Sequence, residues 1–547
     1  MNSQLSYTYG VSDVPLLGET IGENLKKTVL KFPKNEALVC THQNYRATYE
    51  EFYRQTSDVA KALIQLGIEA GDRVGIWAPN RYEWVLLQYA TARIGVILVN
   101  INPAYRTSEL IFVLNQSQIK YIFASLSFKT SNYKKMVEDA REFTSTLQEE
   151  IFFDDNWDEF LSGASQVSDE ELQKWEAQVQ FDDAVNIQYT SGTTGFPKGV
   201  TLSHHNILNN GYFIGIRMNY SEKDRVCIPV PFYHCFGMVI GNLCCTAHGA
   251  TMVIPNDSFD PEKTLETVEK EKCTSLYGVP TMFIAELHEM DSRKYNLTSL
   301  RTGVMAGAVC PPEVMKKVEN QMNMKEVTIC YGMTETSPVS TQTKIGTPFE
   351  KQIHSVGTIH DHLEIKIINP ETGKIVTRGE NGELCTRGYS VMLKYWDNPD
   401  ATNQVLDNSR WMHTGDLAMM DEEGYIHISG RIKDLIIRGG ENISPKEIED
   451  FLYQYPNVLD AQVIGVPSEK YGEEVMAWIK VKTGTTITEE ELSQFCKGQI
   501  AHYKVPKYWK FVEEFPMTIS GKIRKVEMRE MSIKELGLEK LLKVKHH

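Results

Sequence analysis

The chain has 547 residues, a length that predicts about two to four domains, each with a hydrophobic core of its own. Hydrophobic residues make up 41% and charged residues 24%, a balance that excludes extended disorder as the main state. The 57 Lys+Arg and 72 Asp+Glu leave a net charge of −15, which opposes binding to nucleic acid or to an acidic membrane surface, so an anionic ligand must be held by local groups.

From Thr20 onward, helix-start signals alternate with short apolar runs. Thr20-Ile-Gly-Glu23 and Thr48-Tyr-Glu-Glu51 are capping boxes that predict two helix starts, and the second helix ends at Gly67. This β-α alternation predicts a mostly parallel sheet covered by helices, whose ligands bind at the carboxyl ends of the strands. The predicted strands are Ala37–Cys40, Arg73–Trp77, Val96–Asn100, Lys120–Ala124 and Val185–Tyr189, and helical patterns lie near Asn80–Ala92 and Glu109–Asn115. The polar segment Ser162–Asp183 predicts a surface connection.

The pattern changes near the C-terminus to a compact α+β arrangement. The predicted elements there are a helix at Ile448–Tyr455, a capping box at Thr488-x-x-Glu491 and strands at Ala461–Val466, Val475–Val481 and Tyr508–Val512. We place a domain boundary near Arg431–Asp434, which predicts domains of residues 1–431 and 432–547.

Three negative features narrow the class of protein. The 10 cysteines show neither C-x-x-C nor zinc-finger spacing, which predicts reduced thiols in a reducing compartment and no structural metal. The N-terminus carries no Lys or Arg before Lys26 and no apolar core, so we predict a cytoplasmic location. The uncharged stretch Val226–Pro255 is interrupted by Pro, Gly and His, which predicts buried core or pocket wall and no transmembrane segment.

The sharpest local signal is Tyr189-Thr-Ser-Gly-Thr-Thr-Gly-Phe-Pro-Lys-Gly199, which follows a predicted strand. Backbone N–H groups and hydroxyls of such a loop can bind phosphate, and Lys198 adds a positive charge. The loop is not a Walker A motif, because Pro197 and Gly199 flank the lysine. Taken alone, an ordinary polar loop remains an alternative.

Four further segments occur in a fixed order: Tyr331-Gly-Met-Thr-Glu335, Thr414-Gly-Asp416, Gly430-Arg-Ile-Lys-Asp434 with Arg438-Gly-Gly-Glu441, and Thr518-Ile-Ser-Gly-Lys522. Together with the loop they resemble the core motifs of the adenylate-forming superfamily, which includes acyl-CoA synthetases, luciferases and adenylation domains. The resemblance implies an α/β fold with a large N-terminal domain of helix-covered, mostly parallel sheets and a small mobile α+β C-terminal domain.

The resemblance also implies a role for each matching residue. Thr334 would contact the α-phosphate of ATP, Glu335 would hold Mg²⁺, Asp416 and Arg431 would bind the ribose, and Lys522 would bridge the attacking carboxylate and the α-phosphate. The residues that would wrap the β- and γ-phosphates are Thr190, Ser191, Gly192, Thr193, Thr194, Gly195, Phe196, Pro197 and Lys198. Each has an ordinary structural alternative, such as a turn for Asp416 or a solvated lysine for Lys522.

The implied chemistry needs no catalytic triad. A fatty acid is ionised at pH 7 and is its own nucleophile toward the α-phosphorus, so the enzyme has to position it and neutralise charge. CoA then attacks the acyl-adenylate and AMP leaves. The resemblance implies that the small domain rotates between the steps about Lys433, where some relatives have Asp. Gly439 and Gly440 would then lie beside the CoA tunnel, or they simply form a tight turn.

The segment Pro231–Met238, which includes Gly237, resembles the acyl pocket of the family, with His234 as a catalytic gate near the carboxylate. The segment Pro231–Met238 contains no Asp that could pair with the ammonium group of an amino acid, which disfavours an amino-acid substrate. Gly332 stands where acetate-specific relatives place Trp, and an open apolar pocket favours a longer acyl chain. The closest resemblance is to the medium-chain fatty acyl-CoA synthetases, whose animal members are mitochondrial. The sequence therefore predicts an ATP-dependent fatty acid:CoA ligase, with aryl-acid activation or non-enzymatic nucleotide binding as alternatives, and leaves chain length and oligomeric state open.

Overall fold

The computed structural model describes residues 4–190, 197–308, 310–482, 484–518 and 522–542. Its internal contacts divide the chain into two compact units. The larger unit comprises Thr8–Ile365 and Thr386–His413, and the smaller unit comprises Met1–Tyr7, Lys366–Cys385 and Thr414–His547. The domain boundary at residues 431 and 432 stays a prediction.

The strands are mostly short and are numbered here in chain order. They are β1 Tyr7–Tyr9, β2 Glu36–Cys40, β3 Tyr45–Thr48, β4 Arg73–Trp77, β5 Ile97–Asn100, β6 Tyr121–Ala124, β7 Ser127–Phe128, β8 Ser131–Asn132, β9 Glu149–Phe152, β10 Ala184–Thr190, β11 Lys198–Ser203, β12 Arg225–Cys227, β13 Thr251–Ile254, β14 Ser275–Gly278, β15 Thr302–Ala306, β16 Glu326–Gly332, β17 Val339–Gln342, β18 Thr358–Ile359, β19 Leu363–Ile368, β20 Asn381–Gly388, β21 Lys394–Tyr395, β22 Met412–Met420, β23 Ile426–Arg431, β24 Ile436–Arg438, β25 Glu441–Ile443, β26 Val458–Ser468, β27 Gly472–Val481 and β28 Tyr508–Phe511.

The α-helices are numbered in the same way. They are α1 Ile21–Lys31, α2 Tyr49–Gln65, α3 Tyr82–Arg93, α4 Thr107–Gln116, α5 Tyr133–Arg141, α6 Trp157–Ser162, α7 Asp169–Glu176, α8 His204–Arg217, α9 Cys244–His248, α10 Pro261–Glu271, α11 Pro280–Ser292, α12 Pro312–Gln321, α13 Phe349–His354, α14 Pro399–Val405, α15 Pro445–Leu452, α16 Glu489–Cys496, α17 Lys525–Glu535 and α18 Glu539–Leu542.

One sheet of the larger unit has seven strands in the order β21-β11-β10-β5-β4-β6-β9. The five strands from β10 to β9 are parallel neighbours, whereas β11 and β21 are antiparallel. Successive residues of β5 and β6 are all buried, so both faces of the sheet are covered. The predicted strands of this region are confirmed, and so is the mostly parallel sheet.

A second sheet of the larger unit has nine strands in the order β18-β17-β16-β15-β14-β12-β13-β2-β3. Its central strands, from β16 to β2, are parallel neighbours. Antiparallel strands complete both edges. Residues that follow β16 therefore leave the sheet at the carboxyl edge of parallel strands, where ligands of such sheets bind.

The predicted capping boxes at Thr20, Thr48 and Thr488 are confirmed. At the first, Glu23 Oε2 accepts from the Thr20 amide at 2.7 Å, and Thr20 Oγ1 accepts from the Glu23 amide at 3.1 Å. Each such cap stabilises a helix start by about 1 kcal/mol. Local side-chain chemistry thus accounts for where these helices begin.

The uncharged stretch Val226–Pro255 forms buried structure. Its middle is a π-helix, Phe236–Leu243, followed by α9 and β13, and every residue of the π-helix and of β13 is buried. This result confirms the prediction of buried core or pocket wall. Within the described part of the chain, no helix is both long and apolar enough to cross a membrane.

The polar segment Ser162–Asp183 carries a helix, α7, that was not predicted from the sequence. Ser168 caps α7, and Leu172 on that helix is buried. Glu176 accepts from Arg93 Nε at 2.7 Å, which ties α7 to α3. The connection is therefore anchored to the core by buried apolar side chains, Val167 and Leu172, and by ion pairs that include Lys61 with Asp169 at 2.6 Å.

The smaller unit contains a sheet in the order β25-β24-β27-β26, with β28 paired in parallel to β27. Helix α15 buries Ile448 and Leu452 against this sheet, and Trp509 of β28 joins the same core. The predicted C-terminal α+β pattern is confirmed in its helices and strands. A further sheet has the order β1-β19-β20-β22-β23.

Glu286 on α11 is a carboxyl group buried in apolar surroundings. Its exposed fraction is 0%, and neither carboxyl oxygen is hydrogen-bonded within the described residues. Phe283 and Leu287 of the same helix lie in the surrounding apolar cluster, and the buried Cys227 thiol of that cluster is close enough to Glu286 for the two groups to interact electrostatically. Burial raises the pKa of Glu286 well above its ordinary value, because removal from water favours the neutral acid over the carboxylate.

We predict that Glu286 makes the folded protein less stable as the pH rises. The native state keeps a proton that the unfolded chain releases, so stability falls by about 1.4 kcal/mol per pH unit between the unfolded and the folded pKa. Below the unfolded pKa this cost is absent. Glu286→Gln removes the titration, so the difference in thermal midpoint between variant and parent should widen from pH 5 to pH 8. The exposed Glu490→Gln serves as the control, and a pH-independent difference for Glu286→Gln would contradict the prediction.

Candidate active site

The predicted phosphate loop connects two antiparallel strands of the seven-stranded sheet. β10 ends at Thr190 and β11 begins at Lys198, and these two residues lie opposite each other in the ladder. Because β10 runs parallel to β5, the loop leaves the sheet at the carboxyl edge. Pro197 is half-buried beside Lys198. The other predicted residues of the loop, Ser191, Gly192, Thr193, Thr194, Gly195 and Phe196, lie outside the described residues.

Thr334 and Glu335 lie in a short 3₁₀ turn, Thr334–Thr336, just after β16. Both side chains are buried, with 7% of each residue exposed. Thr336 Oγ1 donates to the Pro338 carbonyl at 2.7 Å, and the Met392 amide donates to the Glu335 carbonyl at 2.9 Å. The turn is therefore held from both sides, which fixes the backbone that carries the predicted metal ligand.

Tyr395 contacts two of the predicted site residues. Its hydroxyl donates to Glu335 Oε1 at 2.7 Å, and the Lys198 ammonium lies 5.0 Å from the centre of its ring. Burial, together with the adjacent Glu335 carboxylate, raises the pKa of Tyr395, so the hydroxyl stays protonated and keeps donating. The larger unit thus brings an anion and a cation of the predicted site to one aromatic side chain.

Tyr395 is not among the site residues predicted from the sequence. Its hydrogen-bond partner is 60 residues away in the chain, so no spacing rule connects the two. The one available signal was the aromatic pair Tyr395-Trp396 after the Met392-Leu-Lys run, which is common in buried strands and marks no chemistry by itself.

Gly332, predicted to lie at the acyl pocket, is a position of close backbone approach. A Cβ atom built there would lie 1.6 Å from the Pro338 carbonyl oxygen. The same oxygen accepts from the Met333 amide at 2.9 Å, which draws the two chain segments together. The glycine is required by this geometry, and its role in the acyl pocket stays a prediction.

The predicted acyl segment enters the π-helix through His234. The Phe236 amide donates to His234 Nδ1 at 3.1 Å, so the neutral imidazole carries its proton on Nε2. A Cβ atom at Gly237 would lie 2.5 Å from the Pro231 carbonyl oxygen, which again leaves no room for a side chain. π-Helices are rare and occur frequently at functional sites, which agrees with the predicted role of this segment.

In the smaller unit, Asp416 and Arg431 lie opposite each other on β22 and β23. Arg431 Nε donates to Asp416 Oδ1 at 3.0 Å, and Asp416 is buried while the arginine is exposed. The Asp416 amide donates to Thr414 Oγ1 at 3.1 Å, which holds the start of the motif. The two predicted ribose-binding residues are therefore neighbours, and a carboxylate with two acceptor oxygens suits paired hydroxyls.

Gly439 and Gly440 form the two-residue turn between β24 and β25. Arg438 pairs with Glu441 across the turn, and both glycines have positive φ angles of 61° and 92°. Such a turn favours glycine at both positions, so the tight-turn interpretation accounts for both residues. Their place beside a CoA tunnel stays a prediction.

The predicted hinge and the predicted catalytic lysine both lie at exposed positions of the smaller unit. Lys433 is the middle residue of the 3₁₀ turn Ile432–Asp434, between β23 and β24. The Lys522 amide donates to Thr518 Oγ1 at 3.0 Å, and its carbonyl accepts from the Thr518 amide at 2.8 Å. These two hydrogen bonds fix the backbone from which the Lys522 side chain extends.

The donor chemistry at Glu335 suits Mg²⁺, which prefers carboxylate oxygens and keeps further ligands from water and phosphate. A carboxylate oriented through one oxygen by the Tyr395 hydroxyl matches the pattern in which a neighbouring group orients a metal ligand. Glu335 is therefore the residue that would hold the metal in the larger unit.

Comparison with known proteins places most of the chain in one family. The model described as AMP-binding enzyme matches residues 25–396, and the model described as AMP-binding enzyme C-terminal domain matches residues 447–522. The Bacillus subtilis protein YngI is 47% identical over 546 residues, covering 96% of this chain and 99% of that protein. The mitochondrial medium-chain acyl-CoA ligase ACSF2 of Danio rerio is 45% identical, covering 97% of this chain and 91% of that protein.

Solved structures agree with this assignment. The anthranilate CoA ligase AuaEII, in complex with anthranoyl-AMP, matches with a TM-score of 0.84 and 25% identity, covering 95% of this chain and 98% of that one. The similarity to this structure therefore includes residues of both units. The chain belongs to the AMP-binding enzyme family, which is the adenylate-forming superfamily that its five motifs predict.

Proposed function

We propose that this protein is an ATP-dependent fatty acid:CoA ligase that forms acyl-AMP and transfers the acyl group to CoA, releasing AMP and pyrophosphate. The observation that carries the proposal is the 45% identity, over 97% of this chain, to a relative named as a medium-chain acyl-CoA ligase. Medium-chain acids are accordingly the first substrates to test, with ATP and CoA as the other two substrates.

The residues of the larger unit support the first half-reaction. Lys198 offers a positive charge for phosphate, and Thr334 offers a hydroxyl beside the carboxylate of Glu335. Mg²⁺ bound at Glu335 would supply charge that offsets the phosphate oxygens. The fatty acid brings its own carboxylate as nucleophile, so the protein has to position it and exclude water.

The residues of the smaller unit support the same chemistry in other roles. We assign ribose binding to Asp416 and Arg431 and charge neutralisation during adenylation to Lys522. We assign the hinge of the domain rotation to Lys433, and we place the glycine turn at residues 439 and 440 beside the pantetheine arm of CoA in the second half-reaction.

An aryl-acid CoA ligase is the second candidate within this fold. It is favoured by the fit to the anthranilate CoA ligase, at a TM-score of 0.84. A non-enzymatic nucleotide-binding protein is disfavoured, because Glu335, Asp416 and Lys522 are all present and the loss of one of them would be the simplest route to an inactive protein.

A panel of acids decides between the candidates. Pyrophosphate release should be fastest with octanoate, slower with palmitate and slowest with 4-coumarate, and thioester should form only when CoA is added. Preference for 4-coumarate would support the aryl-acid ligase. Absence of acid-dependent pyrophosphate release with every acid would contradict both enzymatic functions.

We also propose a cytoplasmic location for this chain. All ten cysteines are buried, and none of them forms a disulfide in the described part of the chain, which suits a reducing compartment. The mitochondrial relatives make mitochondria the alternative, and fractionation of the source cells with an antibody to this protein separates the two.

Lys522→Ala should lower acyl-AMP formation by about a hundredfold or more, the scale of losing one strong electrostatic donor at the reacting group. Preformed acyl-AMP should still react with CoA at close to the parental rate. Lys534→Ala, at an exposed lysine of α17, is the matched control and should leave both half-reactions unchanged. Equal loss in both half-reactions of Lys522→Ala would show that the residue is not specific to adenylation.

Gly332→Ala should reduce kcat/KM by similar factors for acids of two to sixteen carbons and should lower the thermal midpoint. The physical reason is the Pro338 carbonyl oxygen, 1.6 Å from the position of the new Cβ, which forces the backbone of the turn to move. Selective loss of long-chain acids with an unchanged midpoint would instead show that a side chain fits there and fills the acyl pocket.

A further inference from the structure

Tyr395 lies where two oppositely charged groups of the proposed ATP site come together. Its hydroxyl donates to Glu335 Oε1 at 2.7 Å, and its ring centre lies 5.0 Å from the Lys198 ammonium. Only 4% of the residue is exposed, so both contacts are made away from bulk water, where they are stronger than at the surface.

The backbone around Tyr395 leaves the ring little freedom. β21 pairs with β11, with Tyr395 opposite Val200, and the Trp396 amide donates to the Gly199 carbonyl at 2.6 Å. The Tyr395 amide itself donates to Thr402 Oγ1 at 3.0 Å. The strand is thus held to the segment that directly follows the phosphate loop and, on its other side, to α14.

Each contact of Tyr395 restricts the orientation of a charged side chain. A hydroxyl that donates to one carboxylate oxygen restricts the rotamer of Glu335 and so fixes where the second oxygen points. The negative face of the ring attracts the ammonium of Lys198 and gives it a neutral partner beside a carboxylate. A lysine side chain has four rotatable bonds, so such a partner reduces the entropy that it loses on binding phosphate.

We propose that Tyr395 is a positioning residue for metal-bound ATP, which orients the carboxylate of Glu335 through its hydroxyl and the ammonium of Lys198 through its ring. The inference rests on the proposed function for the identity of the ligand. It requires no contact between Tyr395 and substrate.

Two substitutions separate the two effects. Tyr395→Phe removes the hydroxyl and keeps the ring, whereas Tyr395→Leu removes both. Tyr121→Phe is the matched control, because it removes a buried tyrosine hydroxyl, bonded to the Leu66 carbonyl at 2.8 Å, on a strand that carries none of the predicted site residues. Thermal midpoints of all three variants are measured first.

The main measurement is equilibrium binding, without turnover. Mn²⁺ is titrated by electron paramagnetic resonance in the presence of α,β-methylene-ATP, and the nucleotide alone is titrated by calorimetry. Tyr395→Phe should weaken Mn²⁺ binding by about tenfold or more, the range found for groups that orient a metal ligand, and should leave metal-free nucleotide binding unchanged. Tyr395→Leu should in addition weaken metal-free nucleotide binding by about threefold or more, through Lys198.

Parental Mn²⁺ affinity in Tyr395→Phe would overturn the proposal, and so would an equal loss in Tyr121→Phe, since the effect would then be one of general stability. If Tyr395→Leu does not fold, Tyr395→Phe alone decides the hydroxyl effect on which the proposal depends. Failure of the proposed function is a separate result: the parental protein would activate no acid in the panel, while the difference between Tyr395→Phe and the parent in Mn²⁺ binding could still be measured.

Discussion

One hydrogen bond, from the Tyr395 hydroxyl to Glu335, joins the two large sheets of the larger unit. Tyr395 lies on β21 at the edge of the seven-stranded sheet, and Glu335 follows β16 of the nine-stranded sheet. Burying a carboxylate without a hydrogen-bond partner costs free energy. This charge-assisted bond therefore stabilises the buried Glu335 side chain and sets the direction of its carboxylate. This contact holds the group proposed to bind the metal against β21, the strand that pairs with β11 directly after the phosphate loop.

The charge of the whole chain explains why such local arrangements are needed. With a net charge of −15, the protein as a whole repels ATP and a fatty acid carboxylate. These anionic substrates must therefore be attracted by individual cationic side chains at short range. A cationic side chain next to a carboxylate, however, tends to form an ion pair with it. A tyrosine that contacts both Lys198 and Glu335 lets the lysine stay near the carboxylate while its ammonium has another partner.

What could be predicted from the sequence depends on how far apart the partners lie in the chain. The capping boxes at Thr20 and Thr48 involve residues three positions apart, and the structure confirms both. Helix α7 is an exception, because Ser168-Asp-Glu-Glu171 offered the same local start signal and Ser168 caps the helix, yet its polar sequence buries only Leu172. Tyr395 was missed because its hydrogen-bond partner, Glu335, is 60 residues away in the chain and follows a strand of another sheet.

The glycines of the proposed acyl site constrain how its specificity can change. At Gly332 and at Gly237, a carbonyl oxygen lies within 2.5 Å or less of the place where a Cβ would stand. Neither position can accept a side chain unless the neighbouring backbone moves, and at Gly332 the oxygen in question also accepts the Thr336 hydroxyl and the Met333 amide. A relative with a large residue at this position must therefore hold the following turn differently. A substitution of Gly332 consequently moves the whole turn that carries Glu335. The proposed control of acyl length at this position is therefore coupled to the geometry of the proposed metal ligand.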